Sequence, residues 1–235
     1  MVAAHQPGYL PWLGWFDKVA RADLFVLLDD VQYEHQNFQN RNRFKVNNGV
    51  CWLTVPVEHR GRDERVREKR IAAQPPSRNH WQRRTLRTLA LHYGRAPHYR
   101  RYADELEEVF HRRWERLFDL DLHLIRLCLR WLGIAKTVVL SSEIGARGQK
   151  TDLIRDICRR TGARFYYSGC GGSRAYLDVD ALRGDGVETV WQRYAHPVYP
   201  QRYPALGFVP RLSALDLILN CGPESARVAR LGDGR

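Results

Sequence analysis

No apolar run in the sequence approaches the roughly 20 residues that a membrane span requires. The longest strongly apolar stretch is Leu24 to Leu28. The opening residues, Met-Val-Ala-Ala-His-Gln-Pro, show no basic region leading an apolar one, so neither a span nor a secretory signal is expected. Cysteine is sparse and scattered. Cys51, Cys128, Cys158, Cys170 and Cys221 include no Cys-x-x-Cys pair, which argues against a disulfide framework and a structural zinc site. A reducing, cytoplasmic setting is the natural expectation. The glycine spacing of dinucleotide fingerprints is missing, as is any internal repeat or low-complexity tract.

Acidic residues are the scarcer charge: 38 Lys and Arg against 26 Asp and Glu leave a formal charge of +12. Arg60 to Arg101 alone holds 13 basic and 3 acidic residues, or +10 of that total. Such a segment can attract nucleic acid, tRNA, an anionic surface or a phosphorylated substrate. The plainer explanation is codon usage in a GC-rich genome, because 33 of the 38 basic residues are Arg. The remaining composition, 44% hydrophobic and 27% charged over 235 residues, is that of a globular chain long enough to bury a sizeable core. A single domain over 1–235 is expected.

Periodicity gives the fold class. Val2 to His5 reads as a strand, Pro11 to Arg21 as a helix with Leu13, Phe16, Val19 and Ala20 on one face, and Leu24 to Leu28 as a strand buried on both sides. Arg43 to Val46 and Val50 to Val57, joined through Asn47-Asn48-Gly49, read as a hairpin expected to add to the sheet. Gly61 to Ser77 reads as a polar loop. Asn79 to Gly94 and Tyr99 to Gly133 carry helical spacing and suggest a helical insertion over 78–133. Alternation then resumes: strand Thr137 to Leu140, helix Asp152 to Arg160, strand Arg164 to Tyr167, a short helix around Tyr176 to Arg183, strand Glu188 to Tyr194 and a last helix Ser213 to Asn220. The expected class is therefore α/β, a mainly parallel, doubly wound, Rossmann-like sheet with a helical insertion.

Ligands of such sheets sit beyond the carboxyl ends of the strands, so the loops there are the candidate site. After the first strand come His5, Gln6, Tyr9 and Trp12, in a tight loop that leads to a helix start able to cradle an anion. His5 is a candidate acid or base. After the second come Asp29, Asp30 and Gln32, carboxylates suited to a substrate amine or to Mg²⁺ with phosphates, followed by the polar run containing Asn40, Arg41 and Asn42. After the fifth comes Ser168-Gly169-Cys170-Gly171-Gly172-Ser173, with Tyr176 beyond it: a flexible turn rich in backbone N–H groups that can hold an oxyanion or phosphate around a candidate thiolate nucleophile. His196 follows the last strand and is a second candidate base. A small buried cysteine, a helix-capping carboxylate and a carbonyl-bonded histidine are the structural alternatives.

Six segments, taken in order, resemble the WbqC-like protein family over nearly the whole chain. They are His5 to Gly14 (HQPGYLPWLG), Leu28 to Tyr33 with Phe38 to Asn42, Lys150-Thr151 before the helix reaching Ile157-Cys158, Tyr167 to Gly172 with Tyr176 to Asp178, His196 to Tyr199 with Gln201, and Leu212 to Asp216 through Asn220 to Gly222. The resemblance implies a role in bacterial surface-polysaccharide or natural-product biosynthesis. The leading expectation drawn from the residues beside it is a transferase or ligase that forms a C–N or acyl bond on an amino-sugar or amino-acid substrate. In that reading His5 is acid or base, Asp29 and Asp30 orient an amine or metal, the Gly169 to Ser173 turn binds an oxyanion or phosphate, Cys170 carries an acyl group and His196 assists. The first βαβ unit also looks like the opening of nucleotidyltransferase-type folds, which would call for ATP or another nucleotide with Mg²⁺. Tyr9 stands about where that motif has its second histidine. A non-catalytic nucleic-acid-binding module is the third alternative.

Overall fold

The computed structural model describes residues 1–59, 61, 63–75 and 80–232. Arg60, Arg62 and Arg78 of the arginine-rich stretch lie outside it, as do Pro76, Ser77 and Asn79, at the end of the expected polar loop and the start of the expected helical insertion.

The sheet is built from β1 (Val2–His5), β2 (Leu24–Leu27), β5 (Thr137–Leu140), β6 (Phe165–Ser168) and β7 (Glu188–Trp191), in the order β5-β2-β1-β6-β7 and parallel throughout. Successive side chains alternate between its two faces. Ala3, Phe25, Leu27 and Tyr167 pack into a large core with α1 (Leu13–Arg21), α2 (Trp81–Tyr93), α3 (Tyr99–His111), α4 (Leu117–Trp131) and α8 (Ala214–Cys221). Val2, Ala4, Val26 and Tyr166 pack into a smaller one with α5 (Lys150–Thr161) and α7 (Val179–Gly184). Both faces of the sheet are thus covered, which explains why the inner strand β2 is apolar without a polar alternate.

The hairpin forms but stands apart. β3 (Arg41–Val46) and β4 (Gly49–Thr54) make their own two-stranded antiparallel sheet, correcting the expectation that they extend the main one. The turn is Asn47-Asn48, and Gly49, at a φ of +126°, opens β4 as the partner of Val46. Phe44, Leu53 and Val55 bind the hairpin to the larger core. The region around Tyr176 to Arg183 is two helices, α6 (Ser173–Tyr176) and α7, because Asp178 interrupts it and caps the second by accepting from Asp180 N (3.1 Å) and Ala181 N (3.0 Å). A further short helix, α9 (Ser225–Ala229), follows α8. Ser213 caps α8 through Leu215 N at 3.2 Å. Arg83, Arg84, Arg87, Arg95, Arg100 and Arg101 all lie exposed on or between α2 and α3. Among the described residues no helix is long and apolar enough to cross a membrane.

A buried polar network clamps the periphery. Asp216 on α8 accepts from Tyr93 Oη (2.8 Å), Tyr199 Oη (2.9 Å) and Gln201 Nε2 (2.9 Å), and Tyr93 Oη in turn accepts from Lys45 N (2.9 Å). This joins α2, the hairpin, the 199–201 segment and α8 through satisfied groups, the condition for a buried carboxylate to be tolerated.

Candidate functional site

The chain runs outward from β1 to β2 and β5 and then returns to the other side of β1 as β6 and β7, so the strand order reverses between β1 and β6. There the two strands part. Their pairing ends at Ala3 with Tyr167, whereas β1 stays paired to β2 as far as His5 with Leu27. The carbonyl of Ala4 is taken up by the Lys18 ammonium, which reaches over from α1 at 2.9 Å and is 2% exposed. Extending the β1–β6 register two residues sets His5 level with Gly169, one residue before Cys170. The crevice thus has a histidine at the end of one strand and a cysteine just beyond the end of its neighbour.

His5 is open to solvent yet surrounded by protein, as a residue on the floor of a crevice is. Burial and then the Lys18 charge push its imidazole down to about 4, against the Gln6 carbonyl that accepts from Nδ1 at 2.9 Å. The ring is therefore neutral near pH 7, with Nδ1 as donor and Nε2 as the nitrogen left for a proton. Trp15 meets it edge-on at 6.3 Å. Burial also pushes Lys18 down to about 8.

Cys170 is the exposed cysteine of the five; Cys128 and Cys158 are buried and Cys51 and Cys221 half-buried. Its thiol donates to the Gln192 carbonyl at 2.7 Å, and the Arg174 guanidinium lies 3.8 Å from Sγ. Gln192, the residue after β7, is itself fixed by donating to Gly14 O (2.8 Å) and Asp17 Oδ2 (2.9 Å) on α1. Gly171 and Gly172 are exposed and Gly169 half-buried, leaving the turn around the thiol open, with Tyr176 exposed at its end; Ser168, the last residue of β6, is buried. Neither Lys18 nor Gln192 could be singled out from sequence. A lysine on an amphipathic helix and a glutamine after a strand carry no signal until the topology places them.

On the other side of β1 the polar groups are already engaged. Asp29 accepts from Ser141 Oγ (2.8 Å), Ser142 N (3.0 Å) and Ser142 Oγ (2.6 Å), which bolts the end of β2 to the end of β5. Asp30 pairs with Arg65 (2.5 Å) and Arg67 (3.1 Å). Among the described residues no cluster of three or more His, Cys, Asp or Glu can hold a metal ion. Gln6 donates to Glu34 (3.1 Å) and accepts from Gln39 (2.8 Å), so the loops after β1 and β2 form one polar rim; Gln32 is exposed on it. Asn40 donates to Val55 O (2.8 Å), while Arg41 faces a cavity beside the hairpin.

Other candidate residues are drawn into the packing. Tyr9 is fully buried in the larger core, and burial drives its hydroxyl pKa up, so its ring faces the protein interior rather than the crevice. Asn42 is buried too and donates to the carbonyls of Tyr9 (3.2 Å) and Leu10 (2.7 Å), holding Leu10 at a φ of +46°. The first turn of α1 is closed to an anion because Leu13 to Phe16 are all buried, Trp12 lies over Gly14 and the Pro11 carbonyl accepts from Ala214 N at 2.8 Å. His196 stacks on Trp12 (6.4 Å, 5°), Nδ1 lies 2.9 Å from Pro197 O, and Nε2 accepts from Arg211 N at 3.1 Å. Both its nitrogens thus face backbone. Burial, with the Arg211 charge, lowers its pKa.

The packing explains why several sequence segments travel together. Thr151 Oγ1 accepts from Asp178 N (3.0 Å) and donates to Tyr176 O (3.0 Å), so the start of α5 is pinned to the turn beyond Cys170. No solved structure matches the chain. An uncharacterized protein of Mycobacterium tuberculosis, Rv1507c, is 32% identical over 227 residues, 95% of each chain. A family model described as the WbqC-like protein family matches residues 6–228. That span begins just after β1 and takes in the other four strands of the parallel sheet, the hairpin, the helices α1 to α8 and Cys170, and the chain belongs to the WbqC-like protein family.

Proposed function

We propose that the chain is an acyl- or amide-forming enzyme of bacterial surface-polysaccharide or natural-product biosynthesis, acting on an amino-sugar or amino-acid substrate. The observation that carries this reading is the exposed Cys170 thiol, held at the end of β6 beside Arg174 and one strand from His5. In the proposed first step the Cys170 sulfur attacks the carbonyl of an activated acyl donor. His5 Nε2 receives the thiol proton, the open turn from Gly169 to Gly172 supplies N–H groups to the oxyanion, and the donor's leaving group departs with the bond pair and takes that proton from His5, which returns to its neutral form. In the second step the substrate amine attacks the thioester, the C–N bond forms as the C–S bond breaks, and the amine proton leaves through His5 as the thiol is restored. Asp29 and Asp30, committed to Ser141, Ser142, Arg65 and Arg67, shape the site from the side.

The test is intact-protein mass spectrometry after incubation with a panel of thioester donors, followed by addition of amino sugars and amino acids. The expected result is an acyl adduct that maps to Cys170 and is discharged by one of the amines. Full turnover by Cys170→Ala overturns covalent catalysis through that thiol. The strand order favours a second reading, activation by ATP or another nucleotide with Mg²⁺, since a reversal between β1 and β6 is where doubly wound, Rossmann-like sheets seat nucleotides. A melting-temperature rise with a nucleoside triphosphate and Mg²⁺ that His5→Ala abolishes would select it.

A further inference from the structure

Between the 33–41 loop and the hairpin lies a cavity of about 680 Å³, within the range of small-molecule sites. Its walls include Tyr33, His35, Asn40, Arg41 and His59, and among the described residues no carboxylate lines it. The His35 and His59 rings stack at 5.4 Å and 20°, and Tyr33 meets His35 edge-on at 5.2 Å. The Arg41 guanidinium is held flat over Trp52 at 4.6 Å and donates through Nη2 to the Gln36 carbonyl, while its Nε is closed off from solvent without a partner. Gln36 sits at a φ of +59°, a conformation that non-glycine residues rarely adopt and that gathers at ligand clamps. Behind the wall, Lys69 lies over the Tyr33 ring at 4.7 Å and is balanced by Glu64 at 2.6 Å, so among the described residues the unbalanced cation at the cavity is Arg41. Burial raises the Tyr33 hydroxyl to about 12, keeping it a donor.

We propose that this cavity binds the phosphorylated portion of a small-molecule ligand, with Arg41, His35 and His59 as its donors. A fixed guanidinium and two imidazoles around a space whose described lining holds no carboxylate is the chemistry that recognises a phosphate ester or diphosphate. Gln6, the residue after His5 at the end of β1, is joined to the cavity's loop through Glu34 and Gln39, so a ligand seated by its phosphate extends toward the crevice. Its role as substrate pocket rests on the acyl-transfer reading, whereas the binding itself does not.

Isothermal titration calorimetry of the full chain with inorganic pyrophosphate, repeated with citrate as a carboxylate probe, tests this at two salt concentrations. NMR of the His35 and His59 rings locates the ligand. Saturable pyrophosphate binding that shifts both rings is expected, weakened about tenfold or more by Arg41→Gln and by His59→Gln. His59 is exposed, so its variant keeps the test decisive if Arg41→Gln fails to fold. No saturable binding, binding equal in wild type and His59→Gln, or preference for citrate overturns the proposal. Cys170→Ser is expected to bind pyrophosphate as wild type does, which separates failure of this site from failure of the thiol chemistry.

Discussion

The two sides of the crevice at the carboxyl edge of the sheet treat their polar groups in opposite ways. Toward β2 and β5, Asp29 is saturated by Ser141 and Ser142 and Asp30 by two arginines. Toward β6 and β7, the thiol of Cys170 is exposed in an open turn, and His5 between the two sides keeps Nε2 unengaged by backbone. Carboxylates at strand ends are thus no guide to chemistry in this chain, because the one that looks most like a ligand is a bolt. A residue there is a candidate for reaction when its reactive atom is reachable, and a candidate for stability when its atoms are all spoken for.

Cys170→Ala puts that division under its severest test. On the proposed mechanism turnover falls by about a thousandfold or more, since the covalent route is lost, whereas stability changes by no more than about 0.5 kcal/mol, as expected of an exposed side chain. Steady-state rates alongside urea melts measure both. An Asp29→Ala chain should show the reverse: a loss of about 2–3 kcal/mol, because Ser141 Oγ and Ser142 N are left without their acceptor at a buried junction. If Asp29→Ala instead kept wild-type stability and lost activity, the bolt would be a ligand after all.

The scaffold was largely legible in the sequence, because period and punctuation set it locally. Val2–His5 and Thr137–Leu140 are strands at the boundaries their apolar runs predict, and α5 stops at Gly162, whose φ of +63° suits only a left-handed cap. What could not be read was pairing at a distance. The hairpin's local signal is strong, yet nothing in it says whether β3 and β4 join β5 or stand alone, since Phe44 and Leu53 are apolar for either outcome. The site divides likewise. His5 and Cys170 are visible as residue types after strands, but Tyr9 and Asn42 look equally polar in sequence and are turned inward by the core. Lys18, Gln192, His35 and His59 gain meaning only from what folds against them.

A subtler probe is Lys18, which lies under the crevice without belonging to either side. The unfolded chain binds its proton near the ordinary lysine value and the folded chain only near 8, so its contribution to stability is lost as pH falls from the unfolded value through 8 and stays lost below. At neutral pH that costs up to about 3 kcal/mol. Lys18→Met removes the cost but leaves the Ala4 carbonyl unpaired, worth about 1 kcal/mol in return. A net gain of about 1–2 kcal/mol is expected at pH 7, shrinking toward zero or a loss near pH 10, read by urea melts at the two values. The same variant tests His5. With wild type the rate should hold on acidification until the pH nears 4, and with Lys18→Met that limb should move upward, since one cause of the depressed imidazole pKa is gone.

The smallest expected effect belongs to His196, which sequence alone ranks with His5 as a base. Its Nε2 already accepts the Arg211 N–H, and its ring sits among Trp12, Tyr199 and Phe208. A phenylalanine keeps the ring packing and removes one acceptor, so His196→Phe should cost about 1 kcal/mol in stability and change turnover by less than about threefold. The lowered His196 pKa adds a sign: the histidine's stabilising contribution fades as pH falls from its unfolded value, so the gap between the two proteins narrows in acid. Should His196→Phe instead lose activity as Cys170→Ala does, while melting as wild type, the Arg211 contact would have to open during turnover. Reactivity in this crevice would then depend on groups the resting fold holds closed, and counting free atoms at strand ends would no longer separate its two sides.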